Sequence, residues 1–327
     1  MNTIKRIGVF TSGGDAPGMN AAIRAVVRTS IYNNIAVTGI YRGYEGMIEG
    51  DFVEMSRRSV SSIIQKGGTI LKSARCLPFK TKEGRQTAYD NIKAQGIDAL
   101  VAIGGDGTFT GAKHFSEEFD IPVMCIPGTI DNDLYGTDYT LGYDTANNTV
   151  IEAIDKIRDT ASSHSRVFFV EVMGRDSGCI ALNAGVGGGA EAILLPEINS
   201  GIETLLEELE LAESRNKASM IVIIAEGDKN GGAYNVAKVV KEKINHLDIK
   251  VSILGHLQRG GSPSSFDRVL ATRMGYTAVN ELIAGNSRAT IGIRGNKMVT
   301  TSLDEALNNK EFKLDDELLA IANIMNK

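Results

Sequence analysis

Three short segments put phosphate-handling residue types at the ends of apolar runs. The first is Thr11-Ser12-Gly13-Gly14-Asp15-Ala16-Pro17-Gly18, directly after Ile7–Phe10. Glycine allows positive φ and lets backbone amides approach an anion. A helix beginning just beyond adds its partial positive charge, so the segment can cradle phosphate. It carries neither the GKS/GKT of a P-loop nor GxGxxG, which disfavours a Ras-like NTPase and a standard dinucleotide fold. A tight strand-to-helix turn that holds nothing is the plain alternative. The second segment, Gly104-Gly105-Asp106-Gly107-Thr108, follows Val101–Ile103. A carboxylate between glycines suits Mg²⁺, which keeps most of its waters and takes few protein carboxylates when phosphates supply the other ligands. The third, Pro127-Gly128-Thr129-Ile130-Asp131-Asn132-Asp133, follows Val123–Ile126. It sets two carboxylates at i and i+2 behind a hydroxyl. Phosphoryl transfer to an alcohol needs a group that accepts the alcohol proton and charge that neutralises phosphate. One aspartate can do the first, and the other can orient it or reach the metal shell.

These segments need a scaffold, and the chain supplies one. Strand-like runs are Ile7–Phe10, Ala36–Tyr41, Ala99–Ile103, Val123–Ile126, Val167–Val172, Ala192–Leu195, Met220–Ala225, Val251–Gly255 and Thr290–Arg294. Several are apolar at nearly every position, as strands of a parallel sheet buried on both faces should be. Helical spacing is found over Met19–Tyr32, Thr149–Thr160, Gly201–Ser214, Val236–Ile244 and Phe266–Ile283. The alternation predicts an α/β protein with helices on both sides of its sheets. Both glycine turns then lie at carboxyl ends of strands, where open α/β sheets bind ligands.

The composition bounds the rest. A length of 327 residues allows two domains. There are 36 glycines, about 11% against a typical ~7%. A net charge of −5 gives nucleic-acid binding no electrostatic support. No apolar run approaches the ~20 residues of a membrane span. Cys76, Cys125 and Cys179 lack CxxC spacing and read as free thiols in a reducing cytoplasm, without a zinc site. A domain break is predicted near Gly142, with the chain crossing back near Gly255. This gives 1–141 plus 255–305 as the larger domain and 142–254 plus 306–327 as the smaller.

TSGGDAPGMN at 11–20, GGDGT at 104–108, PGTIDND at 127–133, EVMGR at 171–175 and GHLQRGGSP at 255–263 occur in the order found in bacterial ATP-dependent 6-phosphofructokinases. The chain resembles that family over essentially its whole length. The resemblance implies two Rossmann-like αβα-sandwich domains with mainly parallel sheets, ATP in the larger, sugar phosphate in the smaller and the active site in the cleft between them. It implies Mg-ATP-dependent phosphorylation of fructose 6-phosphate at its 1-hydroxyl, the committed step of glycolysis. Asp131 would accept the hydroxyl proton, Asp133 support it, and Thr129 hold the transferring phosphoryl group. Arg75 and Arg175 would neutralise its charge, in keeping with the electrostatics of this chemistry. Gly14, Arg75, Cys76, Gly105, Asp106, Gly107 and Thr108 would form the ATP site, with Asp106 serving Mg²⁺. The sugar phosphate would meet Thr129, Ile130, Asp131, Met173, Gly174, Arg175, Glu226, His256, Leu257, Gln258 and Arg259. His256 with Arg259 and two glycines looks like a phosphate clasp. Arg166 and Lys250 would be lent by a neighbouring subunit, normally in a homotetramer. The family commonly has arginine where Lys250 stands, and lysine lacks the planar bidentate fork.

The same resemblance implies an effector site for ADP and phosphoenolpyruvate from Arg24, Arg28, Arg57, Arg158, Gly189, Glu191, Arg215 and Lys217. Arg24 and Arg28 share one helix face by their i, i+4 spacing, which by itself is equally a solvated face. Pyrophosphate-dependent relatives carry Asp at the position of Gly107 and Lys at that of Gly128, so the two glycines favour ATP. Three other readings stay open at this point. They are a pyrophosphate-dependent enzyme, an NAD- or lipid-kinase type enzyme sharing GGDGT, and a non-catalytic nucleotide-sensing homologue. The acidic loop and the His256–Arg259 pair argue against the second. Retention of Asp106, Asp131, Arg75 and Arg175 argues against the third.

Overall fold

A computed structural model describes residues 4–162, 166–198, 201–215, 217, 219–309 and 314–325. The strands are β1 (Arg6–Thr11), β2 (Ala36–Ile40), β3 (Phe52–Met55), β4 (Ala99–Gly104), β5 (Val123–Pro127), β6 (Val167–Val172), β7 (Ala192–Leu194), β8 (Met220–Ala225), β9 (Ile249–Ile253), β10 (Ala289–Arg294) and β11 (Lys297–Ser302). The helices are α1 (Met19–Tyr32), α2 (Tyr44–Glu49), α3 (Lys82–Ala94), α4 (Asp106–Phe119), α5 (Tyr143–Ser162), α6 (Cys179–Gly187), α7 (Ile202–Ser214), α8 (Gly232–Lys243), α9 (Ser265–Ile283), α10 (Leu303–Asn308) and α11 (Asp316–Met325). The chain forms two compact units. One contains residues 1–130, 134–145 and 259–311, and the other residues 131–133, 146–258 and 312–327.

The first unit holds a seven-stranded sheet in the order β11-β10-β5-β4-β1-β2-β3. Its interior pairings are parallel, with Phe10 opposite Ala102 and Ile103 opposite Ile126. Every residue of β4 is buried, which explains its uninterrupted apolar sequence. The order reverses between β1 and β4, the switch point at which such sheets open a crevice. The outermost pairs, β2–β3 and β10–β11, are antiparallel. Neither β3 nor β11 was predicted, because both mix polar residues into half-exposed edges. One face is filled by an aromatic cluster in which Tyr44 stacks on Phe79 at 4.0 Å between centroids.

The second unit has a four-stranded, all-parallel sheet in the order β7-β8-β6-β9. Val222, Ile224, Phe169 and Val167 pack with Leu205, Leu209, Val236 and Val240 of α7 and α8. Strand β9 lies two residues earlier than predicted and is an edge strand, with Ile253 half exposed. Helix α8 begins four residues before its predicted start, because the Glu171 carboxylate accepts the Ala233 N–H at 2.8 Å and caps it. Helix α5 starts six residues before its predicted first turn. The group that fixes that start lies far away in sequence, as described below.

Candidate active site

In the first unit three loops leave the carboxyl ends of the adjacent strands β1, β4 and β5. Backbone bonds tie them together: Ser12 N–H donates to Ile103 O at 3.0 Å and Gly128 N–H to Gly104 O at 3.0 Å. Buried Thr108 donates its hydroxyl to Ser12 O at 3.2 Å. Gly104 leaves no room for a side chain, since a Cβ there would lie 2.4 Å from both Ser12 O and Thr108 Oγ1. Gly18 ends the first turn at φ +106° and places α1 behind it.

Asp106 is the first residue of α4, with Gly105 as its cap. Its side chain is exposed beside exposed Gly107, where an added Cβ would meet nothing within 4 Å. Among the described residues no group of three or more His, Cys, Asp or Glu is arranged to hold a metal. A single open carboxylate at a helix N-terminus nonetheless fits an ion that brings its own phosphate and water ligands. Gly14 is exposed, and the guanidinium of nearly buried Arg259 lies over it, 2.7 Å from an ideal Cβ. Arg259 also donates to Asp15 O at 3.2 Å. The structure therefore sets the Arg259 guanidinium on the first glycine turn. Arg75 is exposed. Cys76 is half-buried, and burial raises its thiol pKa. Cys125 lies wholly in the core, where burial pushes the thiol far up and leaves it inert.

The acidic loop starts from β5. Thr129 is buried and its carbonyl accepts the Thr140 hydroxyl at 2.6 Å. Ile130 has no exposure and belongs to the core.

In the second unit Asp131 is 2% exposed and pairs with Arg175 at 3.5 Å. Asp133 is exposed. Asn132 and Arg175 both adopt left-handed backbone, at φ +51° and +53°. Such non-glycine outliers cost energy and gather at functional sites. The turn after β6 is built around Glu226, whose Oε1 accepts Arg175 N–H at 2.9 Å and Gly174 N–H at 3.3 Å. Gly174, at φ +143°, has Ser177 O 2.3 Å from where a Cβ would stand. Gln258 is wholly buried: it accepts Met173 N–H at 3.2 Å and donates to Gly255 O at 3.0 Å. Its side chain is thus a brace for Met173, not a group presented to a ligand. His256 and Leu257 are exposed. Arg166 and Lys250 reach the same carboxylate, Asp248, at 2.9 and 2.7 Å. Those two bonds hold Asp248 below the usual carboxylate range.

The effector residues fall into two groups. Arg24, Arg28 and Arg57 belong to the first unit; burial, then Arg28, lowers the Arg24 pKa. In the second unit Arg158 donates to Gly188 O at 2.6 Å and Gly189 O at 2.8 Å. Buried Glu191 accepts Lys217 Nζ at 3.2 Å and Ile221 N–H at 2.5 Å. Arg215 is exposed at the end of α7.

Two residues escaped the sequence reading. Buried Tyr44 donates to Thr108 O at 2.5 Å and lies against Gly111, bracing the first turn of α4. Asp267 is wholly buried and bonds the start of α5. The spacing Ser264-x-x-Asp267 reads as a local helix cap, and Ser264 does accept Asp267 N–H at 3.2 Å. That local role hides the distant one.

These features define a phosphotransferase-type α/β protein. Residues 6–282 match the phosphofructokinase family pattern, and the chain belongs to that family. It is 54% identical over 316 residues to ATP-dependent 6-phosphofructokinase 2 of Bacteroides thetaiotaomicron, covering 96% of this chain and 97% of that one. It is 52% identical over 323 residues to ATP-dependent 6-phosphofructokinase of Cytophaga hutchinsonii, covering 99% and 98%. Among solved structures it superposes on phosphofructokinase from Saccharomyces cerevisiae with a TM-score of 0.89 and 36% identity, over 98% of this chain and 47% of the yeast chain.

Proposed function

We propose that the chain is an ATP-dependent 6-phosphofructokinase, converting ATP and fructose 6-phosphate to ADP and fructose 1,6-bisphosphate. The observation that carries this is near-full-length identity above half to relatives of that name, with every expected acidic and basic group retained. Mg²⁺, brought with ATP, supplies charge neutralisation at the phosphates, and Asp106 serves it. The amides of the first glycine turn and residues 105–108 hold the nucleotide, with Arg75 and Cys76 beside it. The Asp131 carboxylate accepts the 1-hydroxyl proton as that oxygen bonds to the γ-phosphorus and the bond to ADP breaks. Thr129 steadies the moving phosphoryl group, and Arg75 and Arg175 counter its charge. Glu226 holds the turn bearing Arg175, while His256 and Arg259 receive the sugar phosphate. Gly107 supports ATP as donor, since the open space beside it leaves room near Asp106 that a carboxylate would fill.

We also infer a cytoplasmic homotetramer in which Arg166 and Lys250 reach a neighbouring subunit's sugar phosphate. No described helix is long and apolar enough to cross a membrane. Binding of ADP or phosphoenolpyruvate by Arg24, Arg28, Arg57, Arg158, Gly189, Glu191, Arg215 and Lys217 completes the reading. It is tested by ³¹P NMR of the protein with fructose 6-phosphate and Mg²⁺, with ATP in one tube and pyrophosphate in another. Fructose 1,6-bisphosphate from ATP alone is expected; product from pyrophosphate alone overturns the donor. Light scattering with and without ADP checks the assembly.

A further inference from the structure

Asp267 is a carboxylate with no solvent exposure, 122 or more residues distant in sequence from its main partners. One oxygen accepts Gly142 N–H at 2.9 Å; the other accepts Thr145 N–H at 2.9 Å and the Thr145 hydroxyl at 2.5 Å. These donors are amides and a hydroxyl at the start of α5, so the buried charge is met by a helix N-terminus. Ser264 fastens the same place from the other side, taking Thr145 Oγ1 as acceptor at 2.9 Å and donating to Asp144 at 2.5 Å.

The segment held this way reaches the reaction loops within the first unit. Thr140 donates to Thr129 O, and Leu141 N–H donates to Pro127 O at 2.8 Å, closing a bridge between Gly128 and Leu141. Gly142, at φ +95°, backs onto the first glycine turn: a Cβ there would lie 2.8 Å from Ala16 Cβ and 2.9 Å from Pro17 Cδ. Residues 140–145 thus touch both the base of the acidic loop and the phosphate turn, and Asp267 fixes their far end.

We infer that Asp267 is a positioning residue for phosphoryl transfer, holding residues 140–145 so that Thr129 keeps its place relative to the first glycine turn. The inference rests on the proposed role of the acidic loop.

Asp267→Asn tests it, because the new amide must turn its NH₂ toward an N–H donor. Small misplacements at a reacting centre cost up to about a hundredfold, so kcat should fall about ten- to a hundredfold. KM for both substrates should stay within about twofold, as for an interaction felt in the transition state. Thr140→Val should show the same split more weakly. In the double variant the loss should not exceed that of the worse single variant, whereas independent sites would multiply their losses. Hydrogen exchange should rise in peptides covering 128–141 and not across the rest of the first unit. Multiplied losses, a rise in KM without loss of kcat, or exchange unchanged at 128–141 would overturn the inference. Should Asp267→Asn fail to fold, Thr145→Val removes one donor to Asp267 together with the acceptor of Ser264 N–H, and carries the same readouts. If the unaltered protein makes no fructose 1,6-bisphosphate, the reading of its function fails, while the exchange experiment still decides this one.

Discussion

The carboxyl edges of the two sheets offer different chemistry. Around β1, β4 and β5 the turns are rich in glycine, with Gly13, Gly14, Gly105 and Gly107 beside exposed Asp106, and are braced by buried hydroxyls of Thr108 and Tyr44. Around β6, β8 and β9 the exposed groups are charged side chains, Arg175, Glu226 and His256, on turns that the main chain and Gln258 hold still. A polyanion with repeated identical groups is well met by a row of amides. A sugar phosphate with one charged end and a reacting hydroxyl asks for a few directed side chains. Substitutions in the first region should therefore act through space and backbone geometry, and those in the second through charge.

The sharpest way to break this contrast is Asp131→Ala. General-base removal should lower turnover roughly 10²–10⁴-fold with substrate affinities little changed, read by a coupled assay for ADP release. Near-normal turnover would mean that the charged region binds but does not react. Next comes the pair Gly104→Ala and Gly107→Ala. The first drives a methyl into Ser12 O and Thr108 Oγ1 at 2.4 Å and should cost about 1–3 kcal/mol in urea unfolding, as overpacking does. The second enters open space and should leave stability unchanged or slightly raised while weakening ATP binding. Equal losses in the two would show that space does not govern this region.

Glu226→Ala should raise the KM for the sugar phosphate about tenfold, since it frees two amides that now bond a charged acceptor. No change would mean that the Arg175 turn holds itself. The smallest effect belongs to Asp248. Its pKa is lowered by hydrogen bonds from Lys250 and then Arg166, so its contribution to stability is present above the ordinary aspartate value of ~3.9 and lost as pH falls through the lower folded value. Asp248→Asn should lower the melting temperature slightly at neutral pH. The difference should vanish in strong acid and shrink in high salt, as exposed ion pairs do.

What could be read from the chain beforehand follows from where the information lies. The three turns were legible because each is a contiguous run, an apolar strand followed directly by a glycine or acidic motif. The central parallel strands were legible because both faces of β4 and β8 are buried and their sequences show it. The edge strands β3 and β11 were not, since exposure on one side mixes polar residues into them. The start of α5 was misread because its cap, Asp267, comes from another helix. The contact of the Arg259 guanidinium with Gly14 gave no signal, since the two lie far apart in sequence. Tyr44 gave no signal, since a buried tyrosine in an aromatic cluster looks like core. Local pattern revealed what neighbours in sequence do together; partners remote in sequence stayed hidden.

Gly107 and Gly128, the two glycines proposed to favour ATP, stand in unlike surroundings. A Cβ at Gly107 meets nothing, whereas one at Gly128 lies 3.0 Å from Met19 Cε, 3.1 Å from Ile103 Cγ2 and 3.3 Å from Gly104 N. Any historical path between ATP and pyrophosphate use would then have a preferred order. Asp can be accepted at 107 with the fold undisturbed, but Lys at 128 requires Met19, Ile103 and the Gly104 backbone all to shift. Met19 is itself wholly buried, so shortening it would make room for that lysine only by opening a core cavity, at about 2–5 kcal/mol for Met19→Ala.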